Sequence, residues 1–144
     1  MTTLHVVFKV GGAEYVLPAS DVLQMESYSG ATPVPGTAPY VAGLVQVRGR
    51  VVPIVDLRAR FGLPPAELSL DNRVVVVQAG ERTVGLLVDS AREVLHLDEK
   101  DLRPPPDVIA AEGGGFIKSV AQTGKRLVML IDFAKVVGKE PLHG

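Results

Sequence analysis

The chain has 144 residues, enough for one domain that buries roughly 68–70% of its unfolded surface. Hydrophobic residues make up 47% and charged residues 22%; 15 basic against 16 acidic side chains leave a net charge of -1, without the basic excess of a backbone-tracking nucleic-acid binder. There are no cysteines, which excludes disulfides, thiolate metal sites and a cysteine nucleophile.

In chain order, the N-terminal MTTLHVVFKV lacks a basic segment ahead of a long apolar run, so no signal peptide is expected. Runs of Val, Ile and Leu broken by Gly, Pro or Asp predict strands over 4–10, 14–18, 22–28, 43–48, 50–56, 73–79, 83–89, 92–97, 116–122 and 126–131. Gly11-Gly12, Gly80-Glu81 and Gly124-Lys125 supply the positive φ that tight hairpins need. The Pro-rich stretch 31–39 and Pro104-Pro105-Pro106 read as loops, because proline cannot donate to a central ladder. Gly113-Gly114-Gly115 reads as a flexible joint and 139–144 as a disordered tail. Asp56 and Asp132 end apolar strands and precede LRARF and FAKVV, so each is placed to cap a short helix. No apolar run approaches the roughly 20 residues of a membrane span, so membrane association would come through a partner. The pattern is all-β with a few short helices, as a barrel or a pair of barrels. VVPIVDLRARF, VGLLVDSAREV and LVMLIDFAKVV echo one another, a reused strand-to-turn device or the trace of two similar half-barrels; their uneven spacing leaves both open.

Chemistry is hard to find. His5, His96 and His143 lie far apart and form no HExxH-type pattern, and no GxSxG elbow is present. Thr123-Gly124-Lys125-Arg126 fails as a phosphate loop, with Ser119 at the leading Gly position and Arg126 in place of a magnesium-binding hydroxyl. Asp56, Asp89 and Asp132 would be the carboxylates of a magnesium site, but no phosphate cradle accompanies them and turn capping explains each. No catalytic, metal or cofactor residue is expected.

The segment GLVQVRGRVVPIVDLR, residues 43–58, resembles the central pattern of the CheW family: Gly, an apolar pair, Asn-Leu-Arg-Gly, then an apolar run into Pro, two hydrophobics, Asp and Leu. FKVGGAEYVLPASDV resembles that family's opening hairpin and PGTAPYVAGLV its loop into the central strand. VGLLVDSAREVLHL and DLRPPP match its second half, and FIKSVAQTGKRLVMLIDFAKVV its closing hairpin and helix. The resemblance spans residues 4–138. It implies two small five-stranded SH3-like β-barrels packed side by side around an apolar junction. It also implies a non-catalytic adapter without cofactor, cytoplasmic and held at receptor arrays by its partners. Those partners would be the regulatory domain of a CheA-type histidine kinase and the cytoplasmic tip of a methyl-accepting chemoreceptor. Whether rings or homo-oligomers form stays open.

By the same resemblance, Arg48 matches the signature arginine implicated in receptor and kinase coupling. Gly49 carries the turn that aims it, and Gly43 suits a close backbone approach, whether for folding or for a partner. Val22 and Gln24 match a strand facing partners near the inter-barrel groove. Val74, Val75 and Val94 match apolar positions credited with partner contact, with ordinary barrel core as the alternative. Pro53, Asp56 and Asp89 are assigned to structure. Gln24 stands where many relatives carry Glu, Gln46 where Asn is usual, and Ala91 where a larger apolar residue is common. These departures leave open a second reading, a divergent paralogue of a dedicated gliding or pilus system that has lost or altered kinase binding.

Overall fold

The computed structural model describes residues 2–112 and 115–138. All ten expected strands form, with ends within about two residues of expectation. They are β1 (Thr2–Val10), β2 (Ala13–Pro18), β3 (Val22–Ser27), β4 (Val41–Val47), β5 (Arg50–Asp56), β6 (Arg73–Ala79), β7 (Arg82–Val88), β8 (Ser90–Asp98), β10 (Ile117–Thr123) and β11 (Arg126–Ile131). An eleventh, β9 (Leu102–Arg103), pairs with β10 at Ala121 and Val120, so one sheet has six strands where five were expected. Helices α1 (Leu57–Arg60) and α3 (Phe133–Val137) follow Asp56 and Asp132 as the caps required; α2 (Asp107–Glu112) was not anticipated. Two residues of strand and six of helix are too short to leave a periodic signal. Gly113, Gly114 and the 139–144 tail with His143 lie outside the described residues.

The sheets run β8-β1-β2-β11-β10-β9 and β3-β6-β7-β5-β4. They are the two barrels, packed side by side. Alternation along each strand sends one set of side chains into its own barrel and the other into the junction. Val7, Val16, Val128 and Leu130 fill the first barrel, and Val52, Ile54, Val74 and Val76 the second. Phe8, Tyr15, Leu17, Val55, Val75, Val77, Val84, Leu86 and Ile131 meet between them in one shared core. The unbroken Val74-Val75-Val76-Val77 run is thereby explained: β6 is central, and both of its faces are buried.

The two sheets repeat one unit. In each, a parallel pair lies at the same place, Ile54 beside Gly85 and Leu130 beside Val16. The hairpins feeding those pairs share register and irregularity, Gly43 opposite Ile54 and Ser119 opposite Leu130, each just past a bulge. Both closing aspartates donate their backbone N–H to an aromatic residue's carbonyl, Asp56 to Tyr40 and Asp132 to Phe116. Of the three echoing segments, VVPIVDLRARF and LVMLIDFAKVV are therefore true equivalents. VGLLVDSAREV is the crossover from one sheet to the other. The spacing is uneven because the second unit takes β8–β11 from the end of the chain and β1–β2 from its beginning.

Candidate functional site

Four antiparallel pairs are closed by two-residue turns: Gly11-Gly12, Arg48-Gly49, Gly80-Glu81 and Gly124-Lys125. The first residue of each has positive φ, and in three it is glycine. In the fourth it is Arg48 at φ 51°, the one non-glycine residue with positive φ among those described. Gly49 follows at φ 81°, so both central residues are left-handed, as a type I′ hairpin requires and as Asn-Gly or Gly-Gly would satisfy without strain. The Arg48 side chain is exposed and takes no hydrogen bond or ion pair among the described residues. Most other arginines are tied down: Arg58 to Asp89, Arg60 to the Val136 and Lys135 carbonyls, Arg82 to the Gly138 carbonyl, Arg92 to Asp71 and Arg126 to Glu14 and Glu93. A strained backbone that presents an unpaired guanidinium has no evident folding benefit.

The remaining expected residues divide. Val94 lies on edge strand β8 with half its surface (51%) exposed, open to a partner. Val22 and Gln24 are half-buried on β3, an edge of the five-stranded sheet, and the Gln24 amide donates to Glu26. Val74 and Val75 are 1% and 0% exposed, one inside the second barrel and the other in the shared junction, so they are corrected from partner contacts to core. For Gly43, left open between folding and a partner, the close approach is made within the fold. Gly43 is buried at φ 139°, and a Cβ there would sit 2.2 Å from the Thr32 carbonyl oxygen. That close approach lets Thr32 and Leu44 exchange two backbone hydrogen bonds of 2.8 and 2.9 Å, which cover the β4 edge.

Expected alternation on β3 could have exposed what the residue-by-residue reading missed: Leu23 and Met25 point outward, and Met25 occupies the place in its sheet that Val94 occupies in the other. Likewise Val51 (65% exposed) and Leu127 (58%) are equivalent, both outward and both one residue inside a hairpin strand. Each sheet thus shows the same pair of exposed apolar side chains at matching places.

The aspartates serve structure. Asp56 accepts from the Arg58 and Ala59 N–H groups, and Asp132 from that of Lys135. Asp89 accepts two hydrogen bonds from Arg58, at 2.8 and 2.9 Å, and one from the Gly11 N–H. Burial alone would raise its pKa; the Arg58 and Gly11 bonds and the Arg58 charge outweigh that and hold it below the ordinary carboxylate range. Among the described residues no three His, Asp or Glu side chains converge as a metal site.

A family model described as the CheW-like domain matches residues 4–140. The chemotaxis protein CheW of Rhizobium meliloti (strain 1021) is 33% identical over 135 residues, covering 94% of this chain and 87% of that protein. The chemotaxis protein CheW of Bacillus subtilis (strain 168) is 32% identical over 135 residues, with 94% and 86% covered. Among solved structures, the scaffolding protein TtCheW from Thermoanaerobacter tengcongensis matches with a TM-score of 0.84 at 30% identity, over 92% of this chain and 90% of that one. From the match along most of its length and the fold it shares with that structure, it follows that this chain belongs to the CheW-like domain family.

Proposed function

We propose that this chain is a non-catalytic adapter that couples chemoreceptor signalling tips to the regulatory domain of a CheA-type histidine kinase. The observation that carries the reading is Arg48: an unpaired, exposed guanidinium on a backbone conformation that folding does not favour, in the segment by which the family is recognised. Two rigidly joined barrels suit such a role, because they hold two binding surfaces at a fixed angle. Val94 on one edge and Gln24, Met25 and Arg48 on the other barrel are the residues offered to partners. No helix among the described residues is long and apolar enough to cross a membrane, so a place in a receptor array would come through the partners.

The test is direct binding. Purified protein should bind the cognate kinase regulatory domain or receptor tip at micromolar concentration, and Arg48→Ala should weaken that binding about tenfold or more while circular dichroism stays unchanged. Failure of the wild-type protein to bind either one would sink the adapter reading. Gln24, where an acid is usual, favours a kinase other than the standard flagellar one. Pull-down against the kinase encoded beside the gene would then succeed where a flagellar kinase fails.

A further inference from the structure

The repeated unit lets one barrel serve as a template for the other. At the mouth of the first barrel, Arg126 reaches Glu14 on β2 at 2.8 and 3.2 Å and Glu93 on β8 at 2.7 Å through two nitrogens. The three side chains line one cavity with Val7, and the bonds from Arg126 hold the Glu93 pKa below its ordinary value. Register assigns each of them a counterpart in the second barrel. Arg126 follows its turn opposite Thr123 as Arg50 follows its turn opposite Val47. Glu14 lies one residue into β2 as Thr83 lies one residue into β7. Glu93 faces Val7 on β1 as Gln24 faces Val76 on β6.

The arginine is therefore kept while both acids are replaced. Arg50 is exposed; its one hydrogen bond is a long 3.4 Å contact to the Thr83 hydroxyl, and it has no carboxylate partner among the described residues. Glu26, the acid on the same face of β3, sits two residues along, opposite Val74, and takes the Gln24 amide. Arg48 adds a second uncompensated cation on the adjoining turn. A cluster that pairs an arginine with two carboxylates in one barrel thus has an arginine beside a threonine and a glutamine at the matching places in the other, with the nearby Glu26 already taken by the Gln24 amide.

We propose that the mouth of the five-stranded barrel is a carboxylate-accepting site, anchored by Arg50 and filled in trans by an acidic side chain of a partner protein. The planar fork that grips Glu14 and Glu93 in the first barrel is the fork left open in the second, and a partner's Asp or Glu completes it. Thr83 and Gln24, at the places of Glu14 and Glu93, carry no charge, and the Glu26 carboxylate is held by the Gln24 amide. The inference rests on the adapter reading and gives it a chemistry: the partner surface that meets this barrel is acidic.

The experiment titrates wild type, Arg50→Gln and Thr83→Glu against the kinase regulatory domain and against the receptor-tip fragment, at about 50 and about 300 mM salt. Arg50→Gln should lower affinity for one of the two about tenfold, flatten the salt dependence and leave the melting temperature in place. Thr83→Glu restores the counterpart of Glu14, so it should raise the melting temperature and weaken binding of that same partner by satisfying Arg50 internally. Wild-type binding that neither variant changes overturns this inference and leaves the adapter reading standing. Wild-type protein that binds neither fragment overturns both.

Discussion

Arg48 and Gly43 are both parts of the motif, and the backbone separates their roles. A non-glycine residue in the left-handed region costs roughly 1–2 kcal/mol, and three equivalent turns in the same molecule avoid that cost with glycine. Arg48→Gly should therefore stabilise the protein by about 0.5–1 kcal/mol in urea unfolding, after glycine's own entropy is allowed for, while weakening partner binding. A variant that loses both stability and binding would mean that the side chain supports the fold. Gly43→Ala should do the opposite. Its methyl group would lie within 2.2 Å of a backbone oxygen, and its φ of 139° disfavours any side chain. A loss of about 2 kcal/mol or more is expected, with the Thr32–Leu44 bridge broken. Spacing within GLVQVRG could not rank these two residues, since both glycine and arginine there are compatible with contact or with folding; the φ values and the 2.2 Å approach do.

At the scale of elements, what was legible followed local chemistry. Asp56 and Asp132 cap helices because a short carboxylate at the end of an extended run meets orphan N–H groups whatever the rest of the fold does. The roles of Asp89 and Val74-Val75 depend on distant partners. Asp89 joins β7, the β1–β2 turn and α1 through Arg58, which also donates to the Pro64 carbonyl at 2.9 Å. A group whose pKa is depressed by folding stabilises fully above its unfolded value of about 3.9 and loses that contribution as pH falls through the folded value. Glu93, held down by the Arg126 hydrogen bonds, acts in the same sense. Melting temperatures measured from pH 7 to about pH 3 should fall on the acid side, and Asp89→Asn should flatten that fall while lowering the plateau near neutrality. A wild-type curve no steeper than that of Asp89→Asn would show that the Arg58 pair contributes nothing.

The whole molecule is built from a unit that neither half of the chain contains alone. Residues 22–88 carry every strand of the five-stranded sheet in one continuous stretch, whereas the other sheet closes only when β1–β2 meet β8–β11. That arrangement hid the repeat from a reading along the sequence, because one copy is split across the chain. Continuity does not make the five-stranded sheet independent. Val55, Leu57, Val75, Val77, Val84, Leu86 and Val88 turn away from its own interior toward Phe8, Tyr15, Leu17 and Ile131 of the other sheet. Removing that cover would expose seven aliphatic side chains, each worth about 1.5–3 kcal/mol when buried, against a total stability of about 5–15 kcal/mol for a domain. A fragment spanning 19–89 should therefore show no cooperative unfolding transition. The full chain should unfold in one step, with tyrosine fluorescence and far-ultraviolet circular dichroism giving coincident urea midpoints. Two separated transitions, or a fragment that melts cooperatively, would show that the barrels are coupled more weakly than the shared core requires. In that case the shared core would not by itself fix the angle between the Val94 edge and the Arg48 turn that the proposed adapter role uses.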